Sequence, residues 1–144
     1  MSIVAIVGRP NVGKSTIFNI LTGSKSAIVA DYSGLTRDRK YGSLKESSIT
    51  LIDTGGLNDD SDDMSKAIKR QTEMAIEESD VLLFVVDAID GLLPMDKEIA
   101  LSLRKQNKDI VLLINKADNQ NLEESSAEFI SLGFSKYLFL SASH

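Results

Sequence analysis

Five apolar runs punctuate the chain: IVAIV at 3–7, ITLI at 49–52, VLLFVV at 81–86, IVLLI at 110–114 and YLFL at 137–140. None alternates apolar with polar residues, so each predicts a strand buried on both faces, as in a parallel sheet. Segments of helical period lie between most of them. TIFNIL follows the first run; MSKAIKRQTEMAIEE (64–78), MDKEIALSLRKQ (95–106) and LEESSAEFISL (122–132) precede the third, fourth and fifth. This alternation predicts a three-layer α/β domain with right-handed crossovers. The exception is 23–48, where no helix period is found and RKYGSLKESS predicts an extra strand, antiparallel to ITLI at the sheet edge. Residues 24–38 then form a long loop, which in a compact domain is functional or mobile. A second loop, GLNDDSDD (56–63), carries Asp59, Asp60, Asp62 and Asp63 and reads as a solvated acidic segment. Neither a repeat nor a linker interrupts the pattern, and 144 residues suffice for one core, so a single domain is expected.

The junction between the first strand and the first helix is GRPNVGKS, residues 8–15, which fits G-x-x-x-x-G-K-[ST]. In that setting Gly8, Arg9, Pro10, Asn11, Val12 and Gly13 form a loop whose N–H groups turn toward phosphate oxygens, with the helix N-terminus adding partial positive charge. Lys14 would reach the β- and γ-phosphates, the Ser15 hydroxyl would hold Mg²⁺, and Thr16 continues the first turn. The fold class is therefore narrowed to a P-loop NTPase of the small-GTPase type, mostly parallel with one antiparallel edge strand. The second apolar run ends in IDTGG, placing Asp53 to take a Mg²⁺-bound water, followed by Thr54; Gly55 and Gly56 would let the backbone approach the γ-phosphate, sensed by the Gly56 N–H.

Base identity is written at the last two strand ends. NKAD closes the fourth run: the Asp118 carboxylate accepts from N1–H and the N2 amino group of guanine, donors that adenine lacks. Asn115 would tie this loop to the P-loop and contact the base, the Lys116 stem would lie along the ring, and Ala117 completes the turn. SAS closes the fifth run, where the Ala142 N–H beside Ser141 could donate to guanine O6; adenine would set donor against donor there. Together these select GTP and GDP over adenine nucleotides.

Composition changes the picture only by exclusion. With 16 Lys and Arg against 21 Asp and Glu, the net charge of −5 gives no general attraction to nucleic acid or anionic membrane. The absence of Cys rules out disulfides and thiolate metal sites. The longest apolar run is too short to cross a bilayer and no signal segment precedes the first strand, so the chain reads as soluble and cytoplasmic.

With GRPNVGKS, SGLTRDR (33–39), IDTGGL, DVLLFVVDAIDGLLPMDKEIA (80–100), NKAD and the terminal SASH in view, the whole chain resembles a translation-factor-type G domain. More narrowly it is similar to the first G domain of the Der (EngA) family of bacterial ribosome-assembly GTPases, to which Era and MnmE are related. The resemblance implies that Thr36 is the first-switch threonine, binding Mg²⁺ and orienting the attacking water; Ser33 stands where relatives usually carry proline. Leu57 occupies the place of the water-orienting glutamine of Ras-like enzymes and has no group for that task. Der-like GTPases use K⁺ near the β- and γ-phosphates with a P-loop asparagine as ligand, and Asn11 matches that asparagine, so K⁺-stimulated hydrolysis is implied. The resemblance also implies a longer protein with a final helix, a second G domain and a KH-like domain, through which a ribosomal subunit or its RNA would be met, and a monomeric 144-residue unit. Arg37, Arg39, Tyr32 and His144 read as solvated loop or terminal residues. A GTP-hydrolysing enzyme and a nucleotide-gated binding module with negligible turnover both fit this set.

Overall fold

The computed structural model describes residues 2–23, 40–43, 49–54, 64–116 and 127–141. In chain order the elements are β1 (Ser2–Val7), α1 (Lys14–Thr22), β2 (Lys40–Ser43), β3 (Ile49–Asp53), α2 (Met64–Glu78), β4 (Val81–Asp87), α3 (Pro94–Arg104), β5 (Asp109–Asn115) and β6 (Tyr137–Phe139). They build a six-stranded sheet in the order β2-β3-β1-β4-β5-β6. All five apolar runs are strands, and their pairings are parallel. The extra strand is also present at the edge: β2 runs antiparallel to β3, with Lys40 opposite Asp53 and Ser43 opposite Thr50.

The absence of alternation in the strands has the expected consequence, because successive side chains enter two separate cores. Ala5, Val7, Leu82, Phe84, Val86, Leu112 and Ile114 pack with Ile68, Ala75 and Ile76 of α2, Ile99, Ala100 and Leu103 of α3, and Phe129, Leu132 and Phe134. The intervening positions Ile6, Leu51, Val85 and Leu113 pack with Ile17 and Phe18 of α1. The sheet is thus the middle of three layers. Phe84, fully buried, meets Phe134 edge-to-face with ring centroids 5.8 Å apart.

The α2 boundaries coincide with the predicted 64–78, whereas α3 starts at Pro94, one residue before the apolar period. Proline is suited to a first helical position because its missing N–H would have no partner there. Of the helix expected over 122–132, the described part shows one helical turn at 127–130. No described helix is long and apolar enough to cross a membrane.

The order of connections fixes where a ligand can sit. From β1 the chain passes along one face through α1 to the β3 side, then crosses to β4 along the other face through α2. The carboxyl end of β1 is therefore where the winding reverses, and open α/β sheets form their binding crevice at that point.

Candidate nucleotide-binding site

Gly8 leaves β1 with φ of 152°, and a Cβ built there would stand 2.6 Å from the Val85 carbonyl oxygen and 3.3 Å from Val12 Cγ2. Only glycine lets the loop run this close to β4. The loop then buries Val12 in the α1 core and presents Pro10 and Asn11 to solvent. Asn11 takes φ of 68°, a left-handed turn conformation that asparagine tolerates.

At its far end the loop enters α1 through Gly13. This helix has no side-chain cap and no acidic residue in its first turn. A first turn without acidic residues of its own is the arrangement expected where an anion is to be bound at a helix N-terminus. α3 is the internal contrast: the Asp96 side chain in its first turn accepts from the Leu93 N–H at 2.9 Å.

Lys14 is buried, and its ammonium donates to the carbonyls of Gly8 and Arg9, each at 2.7 Å. Burial pulls its pKa down from 10.5 to about 8; the Arg9 charge acts in the same direction and the Asp53 carboxylate opposes both. The Ser15 hydroxyl donates to Asp53 Oδ2 at 3.1 Å, joining the first turn of α1 to the end of β3. A hydroxyl and a carboxylate are hard oxygen donors of the kind Mg²⁺ accepts alongside phosphate oxygens and water. This pair fits such an ion, with the Ser15 hydroxyl available to it directly and Asp53 available to a water that it binds.

The end of β5 joins the same site. Asn115, fully buried, donates from Nδ2 to the Val12 carbonyl at 2.9 Å. The predicted tie between the NKAD strand end and the P-loop is present. Lys116, with φ of 60°, reaches across to Asp87 Oδ2 at 2.9 Å and to the Asn11 carbonyl at 3.2 Å. Ser141, the last described residue, follows β6 on the same end of the sheet and is exposed.

Some expected residues have different surroundings. Thr54 directs its hydroxyl to the Ile6 carbonyl at 2.7 Å, so it locks β3 to β1. Arg9 turns its side chain toward α3, where Nε lies 3.2 Å from Asp96 Oδ1 and Nη2 lies 2.9 Å from Asp90 Oδ2. Thr16 lies half-buried in the first turn of α1. Thr36, Gly55, Gly56, Leu57, Ala117, Asp118 and Ala142, with Tyr32, Ser33, Arg37, Arg39 and His144, lie outside the described residues.

Two acidic residues escaped the sequence reading. Asp87 is 2% exposed at the end of β4 and accepts from the Ile89 and Asp90 N–H groups as well as from Lys116. Burial alone would raise its pKa, but these donors outweigh it and hold the carboxyl below its ordinary value. Asp96 is fully buried, and burial pushes its carboxyl up against the opposing pull of the Leu93 N–H and Arg9. An Asp at the end of a buried strand, as at Asp53, was the available signal for Asp87. For Asp96 the signal was its place at the third position of a helix.

A groove of about 250 Å³ between α2 and α3, floored by Ile68, Met95, Ile99 and Leu101, includes none of the P-loop residues.

Comparison with known proteins gives this geometry a family. Residues 3–116 match the family described as 50S ribosome-binding GTPase. GTPase Der of Marinomonas sp. (strain MWYL1) is 51% identical over 144 residues, covering 99% of this chain and 32% of that protein. GTPase Der of Clostridium tetani is 51% identical over 144 residues, 98% of this chain and 33% of that protein. The chain thus spans about a third of the length of these curated relatives. Among solved structures, an Era variant of Aquifex aeolicus bound to GDP·AlF4⁻ has a TM-score of 0.73 and 31% identity, covering 99% of this chain and 52% of that one. Era in complex with MgGDPNP and nucleotides 1506–1542 of 16S ribosomal RNA has a TM-score of 0.67 and 30% identity, covering 98% and 51%. Because the family match runs unbroken from the first strand through Lys116, the chain belongs to the 50S ribosome-binding GTPase family.

Proposed function

We propose that this chain is a GTP-binding and GTP-hydrolysing switch that acts in assembly of the large ribosomal subunit. The observation that carries the reading is the bond from Asn115 Nδ2 to the Val12 carbonyl, 2.9 Å long and buried. It makes the base-reading strand end and the phosphate loop parts of one structure.

In this reading the loop amides and the α1 N-terminus hold the β- and γ-phosphates. The Lys14 ammonium, held in place by the Gly8 and Arg9 carbonyls on two of its three N–H donors, turns the third to the phosphate oxygens, which are charged acceptors. Ser15 and Asp53 would hold Mg²⁺, which when bound neutralises charge on the phosphates. Asp118, Asn115 and the Ala142 amide select guanine, while Thr36 and the Gly56 amide orient the water that attacks the γ-phosphate in line. The bond from the γ-phosphorus to the β–γ bridging oxygen breaks as the water oxygen bonds, GDP is the leaving group, and the water's proton leaves with the phosphate or to solvent. Release of the phosphate would free the Thr36 and Gly56 loops from it, which is the signal partners would read.

Hydrolysis is proposed to be slow and stimulated by K⁺, because Leu57 cannot orient water and Asn11 matches the K⁺-binding asparagine. The ribosomal role draws support from the family's description and from the relatives named GTPase Der. The partner would be a ribosomal subunit or its RNA, engaged through regions beyond these 144 residues, since the net charge of −5 favours neither. A monomeric unit in the cytoplasm completes the proposal.

The test is single-turnover hydrolysis of GTP, with ATP as control, in KCl and NaCl at matched ionic strength. Hydrolysis confined to GTP and faster in KCl is expected. Equal rates in the two salts would remove the role of Asn11. Tight GDP binding without turnover would favour the second reading, a nucleotide-gated binding module, for which Leu57 already speaks. Equal competition by ADP and GDP would overturn guanine selection.

A further inference from the structure

The side chain of Arg9 does not face the phosphate cradle, yet it is almost wholly buried and ionically satisfied. Its guanidinium meets Asp96 through Nε, at 3.2 and 3.4 Å to the two carboxylate oxygens, and Asp90 through Nη2 at 2.9 Å. The exposures are unequal, with the Arg9 side chain at 9%, Asp96 at 0% and Asp90 at 46%. A fully buried carboxylate requires such donors, and the Arg9 side chain and the Leu93 N–H supply them.

The opposite end of Arg9 belongs to the phosphate site, because its carbonyl accepts from the Lys14 ammonium at 2.7 Å. The chain path from Asp96 to Lys14 therefore runs through one residue. A second bridge comes from the same β4–α3 segment: Asp87 holds Lys116, which holds the Asn11 carbonyl at 3.2 Å. Residues 87–96 thus grip the outer arm of the P-loop at alternate residues, Arg9 by its side chain and Asn11 by its backbone.

We infer that Asp96 is a positioning residue for nucleotide binding, acting through the Arg9 side chain to fix the P-loop in its phosphate-binding shape. Arg9 is its effector arm, and Asp90 is an exposed auxiliary. The guanidinium is suited to this because its planar fork spans two carboxylates at once, a geometry lysine cannot reproduce. This rests on the nucleotide reading above and assigns the first turn of α3 a part in it.

The test is GDP and GMP affinity, by calorimetry well below the melting temperature, for the parent chain and for Arg9→Gln, Asp96→Asn, Arg9→Lys and the Arg9→Gln/Asp96→Asn double variant. Arg9→Gln leaves the Asp96–Leu93 cap of α3 in place, so it separates the P-loop role from a helix-capping one. GDP affinity is expected to fall about tenfold or more in each of the first two, as small misplacements of a binding group do. The double variant should be no weaker than the weaker single one, because both changes break one connection. GMP lacks the β-phosphate that Lys14 reaches, so its affinity should change less than twofold; a merely structural defect would weaken both ligands alike. Arg9→Lys covers the case in which a neutral variant does not fold, and should also show a reduced GDP-to-GMP affinity ratio. GDP affinity within twofold of the parent in the folded variants, or equal losses for GDP and GMP, overturns this inference alone. A parent chain that binds neither nucleotide overturns the nucleotide reading and this inference with it.

Discussion

The replacement of Gly8 by alanine tests most directly how the sheet shapes the phosphate loop. The added Cβ would lie 2.6 Å from the backbone oxygen of Val85, where a relaxed contact needs roughly 3.2–3.5 Å, so about 0.6–0.9 Å of movement is required. The obstacle is backbone in the middle of the sheet, between β1 and β5, and it cannot rotate away as a side chain would. Forcing a non-glycine residue to the φ of 152° costs about 1–3 kcal/mol, and overpacking costs about another 1–3 kcal/mol. The sum, about 2–6 kcal/mol, is a large part of a typical domain stability of about 5–15 kcal/mol. At about 2–4 °C per kcal/mol, Gly8→Ala should melt roughly 4–24 °C lower.

Because the Gly8 carbonyl also holds Lys14 at 2.7 Å, GDP affinity should fall with it, about tenfold or more. Gly133→Ala is the matched control. It too has a positive φ, 87°, but its Cβ would meet the Arg104 guanidinium at 3.2 Å, the movable end of a long side chain. Its cost should be confined to about 1–2 kcal/mol of backbone strain, with unchanged GDP binding. Thermal unfolding of the ligand-free proteins and calorimetric GDP titration provide the measurements. A Gly8→Ala protein that melts within 2 °C of the parent and binds GDP equally would refute the argument.

Asn115→Ala removes the donor to the buried Val12 carbonyl, and should cost about 1–3 kcal/mol in thermal unfolding while narrowing the preference for GDP over ADP in competition. For Lys14, phosphate binding favours the ammonium, so above the pKa of about 8 binding must take up a proton, and affinity declines as pH rises. About tenfold weaker GDP binding at pH 9 than at pH 7 is expected, with this component absent from Lys14→Ala; identical pH profiles for the two would contradict it. Ser15→Ala should raise the Mg²⁺ concentration needed for half-maximal hydrolysis, and an unchanged Mg²⁺ titration would remove Ser15 from the metal site. Phe84→Ala, which empties a fully buried site against Phe134, should destabilise by about 3–5 kcal/mol in denaturant unfolding.

The sequence by itself determined the layers and the chemistry of the cradle. Uninterrupted apolar runs such as VLLFVV can be satisfied only between two helical layers, and GRPNVGKS between a strand and a helix carries its ligand geometry in local backbone preferences. RKYGSLKESS was legible as an edge strand for the same local reason, since no helical period competes with it. The tie from Asn115 to the P-loop, 103 residues away, was legible from the NKAD motif. Tertiary structure alone decided which buried charge braces that loop: Arg9 and Asp96 stand 87 residues apart, and no motif joins them. Arg9 lies in a phosphate motif and reads as a ligand, yet its side chain turns to α3, because a fully buried Asp96 offers a paired and desolvated partner there. Thr54 likewise lies in the IDTGG segment and reads as a nucleotide-binding residue, yet its hydroxyl closes a strand-to-strand bond to Ile6. Local motifs set what the backbone presents to a ligand, and strand order determines which buried charges must find each other behind it.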